Sequence, residues 1–494
     1  MTESVQRAAA AGPATGFGRW STGELPEAPR FGLRQWRALI GPGILMAGAN
    51  IGGGEWLLGP QVTARYGGSI LWIATVAILV QLFYNLEVMR YALYCGEPVF
   101  VGYFRTRPGP AFWTGLYLLL DFGGIWPYLA SNAGVPFAAL FLGRLPTPDD
   151  EVLVKSMSYV VFLGAYIPVL FGGKVYNALQ LCMTVKAVLV LGYLLVVNTL
   201  WNQGAWGEAF TGLFQFGALP EDIDWATVGA FAAIAGAGGL TNMHASNYVR
   251  DKGWGMGGHV GAIPSAVGGQ RIQLSHVGMI FPVTQESLRR WRGWLRHIAR
   301  EQVFLWAPAC ILGAVLPAML SLGFVPRGEV VKDWEVAART AHGLSTQIGP
   351  AFWYLTLTCG LLVLAPTQVA QMDGTVRRWV DVIWMGVGRL RHLEGHKVKH
   401  VYYGILTLYG VWGAIALLVF NPNAIVKTVG NIWNLALGWS ALQTVYTNRK
   451  LLPRELRPSL FMELGVLACG VFYLGIFCMV LPQTIDKLQA WFTP

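Results

Sequence analysis

The chain has 494 residues, 54% of them hydrophobic and 13% charged, with a mean hydropathy of +0.46 and a formal net charge of +10. Soluble domains carry about 25% charged residues, so the composition excludes an ordinary water-soluble protein and indicates one embedded in a lipid bilayer. Repeated apolar runs of about 20 residues have the length of helical spans rather than barrel strands, and the all-α reading follows.

Residues 1–35 form a polar arm with Glu3, Arg7, Arg19 and Glu24. It has no apolar core after a basic start, so no cleaved signal peptide is expected. The first span, near 38–64, contains Ala49-Asn50-Ile51-Gly52-Gly53-Gly54-Glu55-Trp56. Three consecutive glycines weaken a helix by about 1 kcal/mol each relative to alanine. The stretch also carries a carboxylate to membrane depth, where ionisable groups mark function by default. A matching glycine-rich stretch, Ala235-Gly236-Ala237-Gly238-Gly239-Leu240-Thr241-Asn242, lies in the sixth span near 226–249. Paired interruptions of this kind point to a transporter site. The alternative is close helix packing, since glycine is frequent in membrane helices. The candidate substrate-binding residues are Asn50, Gly52, Gly53, Gly54, Glu55, Ala237, Gly238, Gly239, Leu240, Thr241 and Asn242.

The remaining spans fall near 69–94, 112–141, 152–171, 176–200, 303–324, 350–373, 401–421, 424–446 and 459–482, making eleven. Most of the 36 basic residues collect in the arm and in alternate loops, above all 250–300 and the loop after 373. Opposite segments are acidic, as in Asp149-Asp150-Glu151. The positive-inside rule then puts the N-terminus in the cytoplasm and the C-terminus outside, in a multi-pass plasma-membrane protein. Spans 1–5 and 6–10 start on opposite sides, the topology of an inverted five-helix repeat. Three regions result: an arm at 1–35, a ten-span core at 36–446, and an additional eleventh span at 447–494.

Within the 250–300 loop, Glu286–Arg300 reads as an amphipathic surface helix with Trp291 and Trp294 towards lipid. Gly253-Trp254-Gly255-Met256-Gly257-Gly258 fits G-x-G-x-x-G but follows a membrane helix, not a strand, so no dinucleotide site is inferred. No P-loop lysine motif and no HExxH occur, no nucleic-acid partner is expected, and no resident cofactor is indicated. The six cysteines lack CxxC spacing and read as small packing residues.

Few ionisable residues lie inside spans. Glu87 and Arg90, three apart, are expected to pair. Asp121 precedes Gly123-Gly124 and Trp126-Pro127, which predicts irregular backbone; it either caps a broken segment or serves a proton route. Lys186, deep in span 5, either neutralises Glu55 or attracts an anion. Lys427 reads as an anchor, with Asn431 and Asn434 facing the pathway. His244 reads as a satisfied helix-end histidine. Glu55, Asp121 and Lys186 are the candidate route for a coupling ion or proton.

Gly41-Pro42-Gly43, Ile51 through Glu55, Tyr66-Gly67-Gly68-Ser69-Ile70-Leu71-Trp72 and Gly236-Ala237 together resemble the NRAMP family of proton-coupled divalent metal transporters. The resemblance covers spans 1 to about 10 in order and length. It implies a LeuT-type inverted repeat with a site between spans 1 and 6. The family's first-span motif is Asp-Pro-Gly-Asn; aligned on Gly54, this chain has Gly52-Gly53-Gly54-Glu55. The family's sixth-span motif is Ala-x-x-Met-Pro-His; here Ala237 is followed at that spacing by Leu240-Thr241-Asn242. The soft thioether that favours transition metals is absent. The chain therefore resembles a divergent relative without the usual metal site.

Three functions follow as expectations. The favoured one is a secondary transporter of a small inorganic anion such as bicarbonate, coupled to Na⁺ or H⁺, with glycine amides and helix ends as donors. The second moves a divalent cation, Mg²⁺ or Mn²⁺, on Glu55. The third is a membrane sensor without transport. An enzyme is not expected, because no nucleophile–base cluster stands out.

Overall fold

The computed structural model describes residues 18–29, 52–171, 175–260, 277–332, 334–390 and 398–492. Each of the eleven expected spans contains helix. They are α1 (Gly53–Tyr66), α2 (Trp72–Cys95), α3 and α4 (Pro110–Leu120, Tyr128–Leu142), α5 (Glu151–Phe171) and α6 (Val175–Trp201). After α6 the chain turns sharply, by 112°, into the short α7 (Gln203–Gly212). The second half holds α8 and α9 (Trp225–Ile234, His244–Asp251), α10 (Gln285–Glu301), α11 (Ala307–Phe324), α12 (Ala351–Gly386), α13 (Val398–Val419), α14 (Pro422–Leu451) and α15 (Leu460–Phe492). Seven described helices are individually long and apolar enough to cross a membrane. The outer faces are apolar too: Val160, Leu163 and Ile167 on α5 and Phe461, Leu464 and Val471 on α15 are exposed, as surfaces solvated by lipid require.

Small residues and buried polar side chains set how the helices meet, as expected where lipid removes the hydrophobic incentive to pack. Gly59 of α1 lies against Ala314 and Ala318 of α11, and Thr63 Oγ1 donates to the Ala318 carbonyl at 3.1 Å. On α14, Asn431 and Asn434 donate to Ala226 O (3.2 Å) and Gly229 O (2.9 Å) of α8. The sequence reading placed these asparagines towards the pathway; they instead bind α14 to α8. Lys427 lies 3.7 Å from Asp224 at the start of α8. Glu87 and Arg90 pair as their spacing predicts, at 2.9 Å, and Asn448 of α14 joins them.

Span 3 is interrupted as expected. A 3-10 turn, Asp121–Ile125, separates α3 from α4, and Pro127 lacks the N–H that would continue the helix.

The 250–300 region differs from its expectation. Residues Gln285–Phe324 form one helical run of 40 residues, α10 passing through a π-turn at Gln302–Trp306 into α11. At about 1.5 Å per residue this is about 60 Å, twice the hydrocarbon thickness of about 30 Å. Trp291 and Trp294 face protein, not lipid; each is only 3% exposed. The reason is that Trp291 packs on Phe281 and Arg90, and Trp294 on Trp254 and the segment 18–29. Trp294 Nε1 donates to Pro26 O at 2.8 Å, and Arg290 binds Glu24 and Leu25 O. Ser21–Thr22 (β1) pairs in parallel with Met279–Ile280 (β2). Arg292, Arg296 and Arg300 keep the exposed face.

Glu97 anchors this layer. Its buried carboxylate accepts from Trp20 Nε1 (3.0 Å), Tyr91 OH (3.0 Å), Arg105 Nε (2.9 Å) and Gly278 N (2.7 Å). Glu97→Ala removes the carboxylate from a buried guanidinium, a change that costs about 3–5 kcal/mol. The expected result is a lower Tm in detergent and faster proteolysis within 18–29. Unchanged melting and cleavage would show that the carboxylate does not hold the segment.

Candidate functional site

The site forms where α1 begins and where span 6 stops and restarts. Gly52 precedes α1, whose first residues are Gly53 and Gly54. A side chain at Gly54 would collide with Ile234, the last residue of α8, so glycine is what lets the two ends touch. Glu55, in the first turn of α1, folds back so that Oε2 accepts the Gly52 N–H at 3.4 Å. This places the carboxylate over the partially positive helix end. Glu55 is 3% exposed, and its Oε1 has no hydrogen-bond partner among the described residues.

Span 6 is broken as the sequence predicts. α8 ends at Ile234; an irregular stretch at 235–238 leads into a 3-10 turn, Gly239–Met243, and then α9. Gly236 and Gly239 take φ of +98° and +60°, values that strongly favour glycine. Gln81 of α2 supplies the missing backbone partners. Its Nε2 donates to Ala235 O at 2.7 Å, and its Oε1 accepts from Ala237 N at 2.8 Å and Asn242 Nδ2 at 3.0 Å. Asn242 Nδ2 also donates to Ala237 O at 2.8 Å.

Between the breaks lies a cavity of about 60 Å³. A water needs roughly 10–15 Å³ of such space, so a small ion with a few waters fits. Gly53, Gly54 and Glu55 line it from α1, Gly236, Gly238 and Thr241 from the break, and His244 and Tyr248 from α9. Thr367, Ala370 and Gln371 of α12, Tyr128 and Trp433 complete the wall. Trp433 packs so closely on Gly238 and Gly239 that neither tolerates a side chain. The described lining holds one carboxylate and no lysine or arginine. No group of three or more His, Cys, Asp or Glu placed to hold a metal occurs among the described residues.

The other predicted residues take different places. Asn50 lies outside the described residues. Gly52, Ala237, Gly239 and Leu240 shape the breaks without lining the cavity, and Asn242 is fully buried within the break. Lys186, 2% exposed, donates from Nζ to Thr367 Oγ1 at 2.6 Å, behind the wall, and its charge acts on Glu55. Asp121 is bound by Arg378 through Nε (2.9 Å) and Nη2 (3.0 Å) and by Trp379 Nε1 (2.8 Å). Arg378 Nη1 contacts His244 Nε2. A guanidinium only donates, so that ring nitrogen is the acceptor and the imidazole is neutral. His244 is thus both a satisfied helix-end residue and part of the cavity wall. Sequence reasoning missed Gln81, Thr367, Gln371, Arg378 and Trp433. Polar residues inside apolar runs were the available signal for Gln81 and Gln371.

The sequence matches no protein-family model and no curated protein. Solved structures of a manganese transporter from Eremococcus coleocola are similar in fold. One point mutant superposes with a TM-score of 0.61 at 13% identity, covering 92% of this chain and 88% of that one. A second gives 0.56 at 15% identity over 92% and 88%. The same transporter in complex with an aromatic bis-isothiourea compound gives 0.56 at 13% over 93% and 90%. The chain therefore shares the all-α membrane fold of that manganese transporter, in line with the sequence resemblance.

The Asp121–Arg378 pair is fully buried, so breaking one side strands the other charge. Arg378→Leu is expected to lower stability by about 3–5 kcal/mol, while Asp121→Asn combined with Arg378→Leu lowers it less than Arg378→Leu alone. Thermal unfolding in detergent measures both. Losses that simply add would contradict a mutually compensating pair.

Proposed function

We propose that the chain is a secondary transporter, not an enzyme or a passive sensor, and that its cargo is a small inorganic cation held between the broken spans. The observation that carries this reading is Glu55 Oε1: a buried carboxylate oxygen with no hydrogen-bond partner among the described residues, beside a cavity whose described lining contains no lysine or arginine. The first-span segment 38–51 adds no Asp, Glu, His or Cys to that set. One carboxylate with hydroxyl, amide and carbonyl oxygens suits a hard divalent ion that keeps several waters, Mn²⁺ or Mg²⁺. The manganese transport named for the similar fold is consistent with that choice.

The bicarbonate reading drew on bare glycine amides at helix ends. Here Glu55 itself occupies the end of α1, so its carboxyl group takes the backbone donor an incoming anion would use. Lys186 favours an anion, but it is spent on Thr367 and Glu55 rather than on the cavity surface. Cargo entry and exit follow from α1 and the span-6 halves swinging against the other helices, the usual alternating-access motion of such folds. A proton or Na⁺ gradient drives it, with Glu55 the group that both cargo and coupling ion contact.

The test is uptake into proteoliposomes of Mn²⁺, Mg²⁺ and bicarbonate, with and without pH and Na⁺ gradients. Mn²⁺ or Mg²⁺ uptake is expected, and Glu55→Gln is expected to lower Vmax/KM by about 10- to 100-fold, the effect of losing one charged contact. Bicarbonate uptake with no cation uptake would overturn the cation reading. Absence of flux for every ion would favour a sensor.

A further inference from the structure

We infer that Tyr473, on α15 (the eleventh span), is a positioning residue for the cargo site, acting through Gln81 on the span-6 break. The inference rests on the reading that cargo occupies the cavity between the breaks. It assigns a role to a helix that lies outside the ten-helix core.

The chain of contacts is short. Tyr473 on α15 is completely buried and its hydroxyl lies within hydrogen-bond reach of three groups: Gln81 Nε2, Ala232 O (3.3 Å) and Ala77 O (3.5 Å). A phenol has one proton. The carbonyl of Ala232 or Ala77 takes it, so the oxygen presents lone pairs to the Gln81 amide. That reinforces the amide orientation that Ala235 O and the Ala237 N–H already favour, with Nε2 towards Tyr473 and Ala235 O, and Oε1 towards Ala237 N and Asn242 Nδ2. In the opposite orientation, Oε1 would face the Ala235 carbonyl, and Nε2 would face the N–H of Ala237 and the Asn242 amide as donor against donor.

The orientation matters because Gln81 is the wall behind the break. A Cβ on Gly236 would lie 2.8 Å from Gln81 Oε1 and 3.0 Å from Nε2, so the amide and the Gly236 backbone are in direct contact. Gly236 and Gly238 line the same cavity as Glu55. A rotated Gln81 amide shifts those backbone groups relative to the Glu55 carboxylate. Placement of cargo therefore depends on a hydroxyl that never touches it. If Tyr473 only packed α15 onto the core, Tyr473→Phe would retain nearly all of that packing.

The experiment uses the full chain in proteoliposomes, with initial rates of Mn²⁺ uptake measured for the wild type, Tyr473→Phe, Gln81→Leu and the double variant. Losing one hydrogen bond that orders the site is expected to raise KM by about 3- to 10-fold for Tyr473→Phe. Vmax per folded protein and the Tm in detergent are expected within about twofold and a few degrees of the wild type. Because Tyr473 acts through Gln81, the double variant is expected to match Gln81→Leu rather than multiply the two effects. An unchanged KM in Tyr473→Phe, or multiplicative effects in the double variant, would overturn the inference. Should the wild type carry bicarbonate and not Mn²⁺, the cation reading fails by itself, and the same KM comparison on bicarbonate decides the role of Tyr473.

Discussion

Backbone amides and carbonyls inside a bilayer have no water to bind, so every helix break there has to be satisfied by protein. Each unpaired group costs several kcal/mol. At the span-6 break, the carbonyls of Ala235 and Ala237 and the amide of Ala237 meet this requirement through Gln81 and Asn242. Those two side chains come from α2 and from the break itself, and Tyr473 closes the set from α15. Span 6 thus breaks with these backbone groups satisfied by protein. The short gap between the break and the start of α1 becomes a cavity rather than a defect.

The same economy governs charge. Asp121 is neutralised by Arg378, Glu87 by Arg90, Glu97 by Arg105 and Asp381 by Arg250. Most of the buried acids in the inner half of the protein therefore carry their own counter-ion, as burial demands. Glu55 is different: it has a helix end, a neighbouring lysine charge and one oxygen with no hydrogen-bond partner among the described residues. An acid that is stabilised in place but not saturated is suited to exchanging partners during a transport cycle. The neutral His244, held by Arg378, adds a wall to the cavity without adding a second charge.

Much of this was legible in the sequence. Span lengths, the break in span 6, the glycine start of α1 and the irregular turn at Asp121 all announce themselves through glycine and proline, whose effect is local. The Glu87–Arg90 pair was readable from a three-residue spacing. What stayed hidden depends on tertiary proximity. Gln81 sits in an apolar run 154 residues before the carbonyl it caps, and Arg378 lies 257 residues from Asp121. Asn431 and Asn434 looked like pathway residues because polar groups in a span are costly; the cost is offset instead by the α8 carbonyls. Trp291 and Trp294 looked lipid-facing because an amphipathic helix advertises an apolar side, but not what covers it. The sign of the cargo was the hardest reading. Glycine-rich ends suggest an anion until the Glu55 carboxylate is seen folded over one of them.

The central claim is that a cation rests against Glu55 between the two broken helices. Anomalous diffraction from crystals grown with Mn²⁺, and separately with bromide in its place, addresses this without relying on flux. The account predicts a manganese peak at coordination distance from Glu55 Oε1, bounded by Thr241 and the Gly236–Gly238 backbone, and no bromide peak in that cavity. Bromide between the breaks, with manganese absent there, would contradict it.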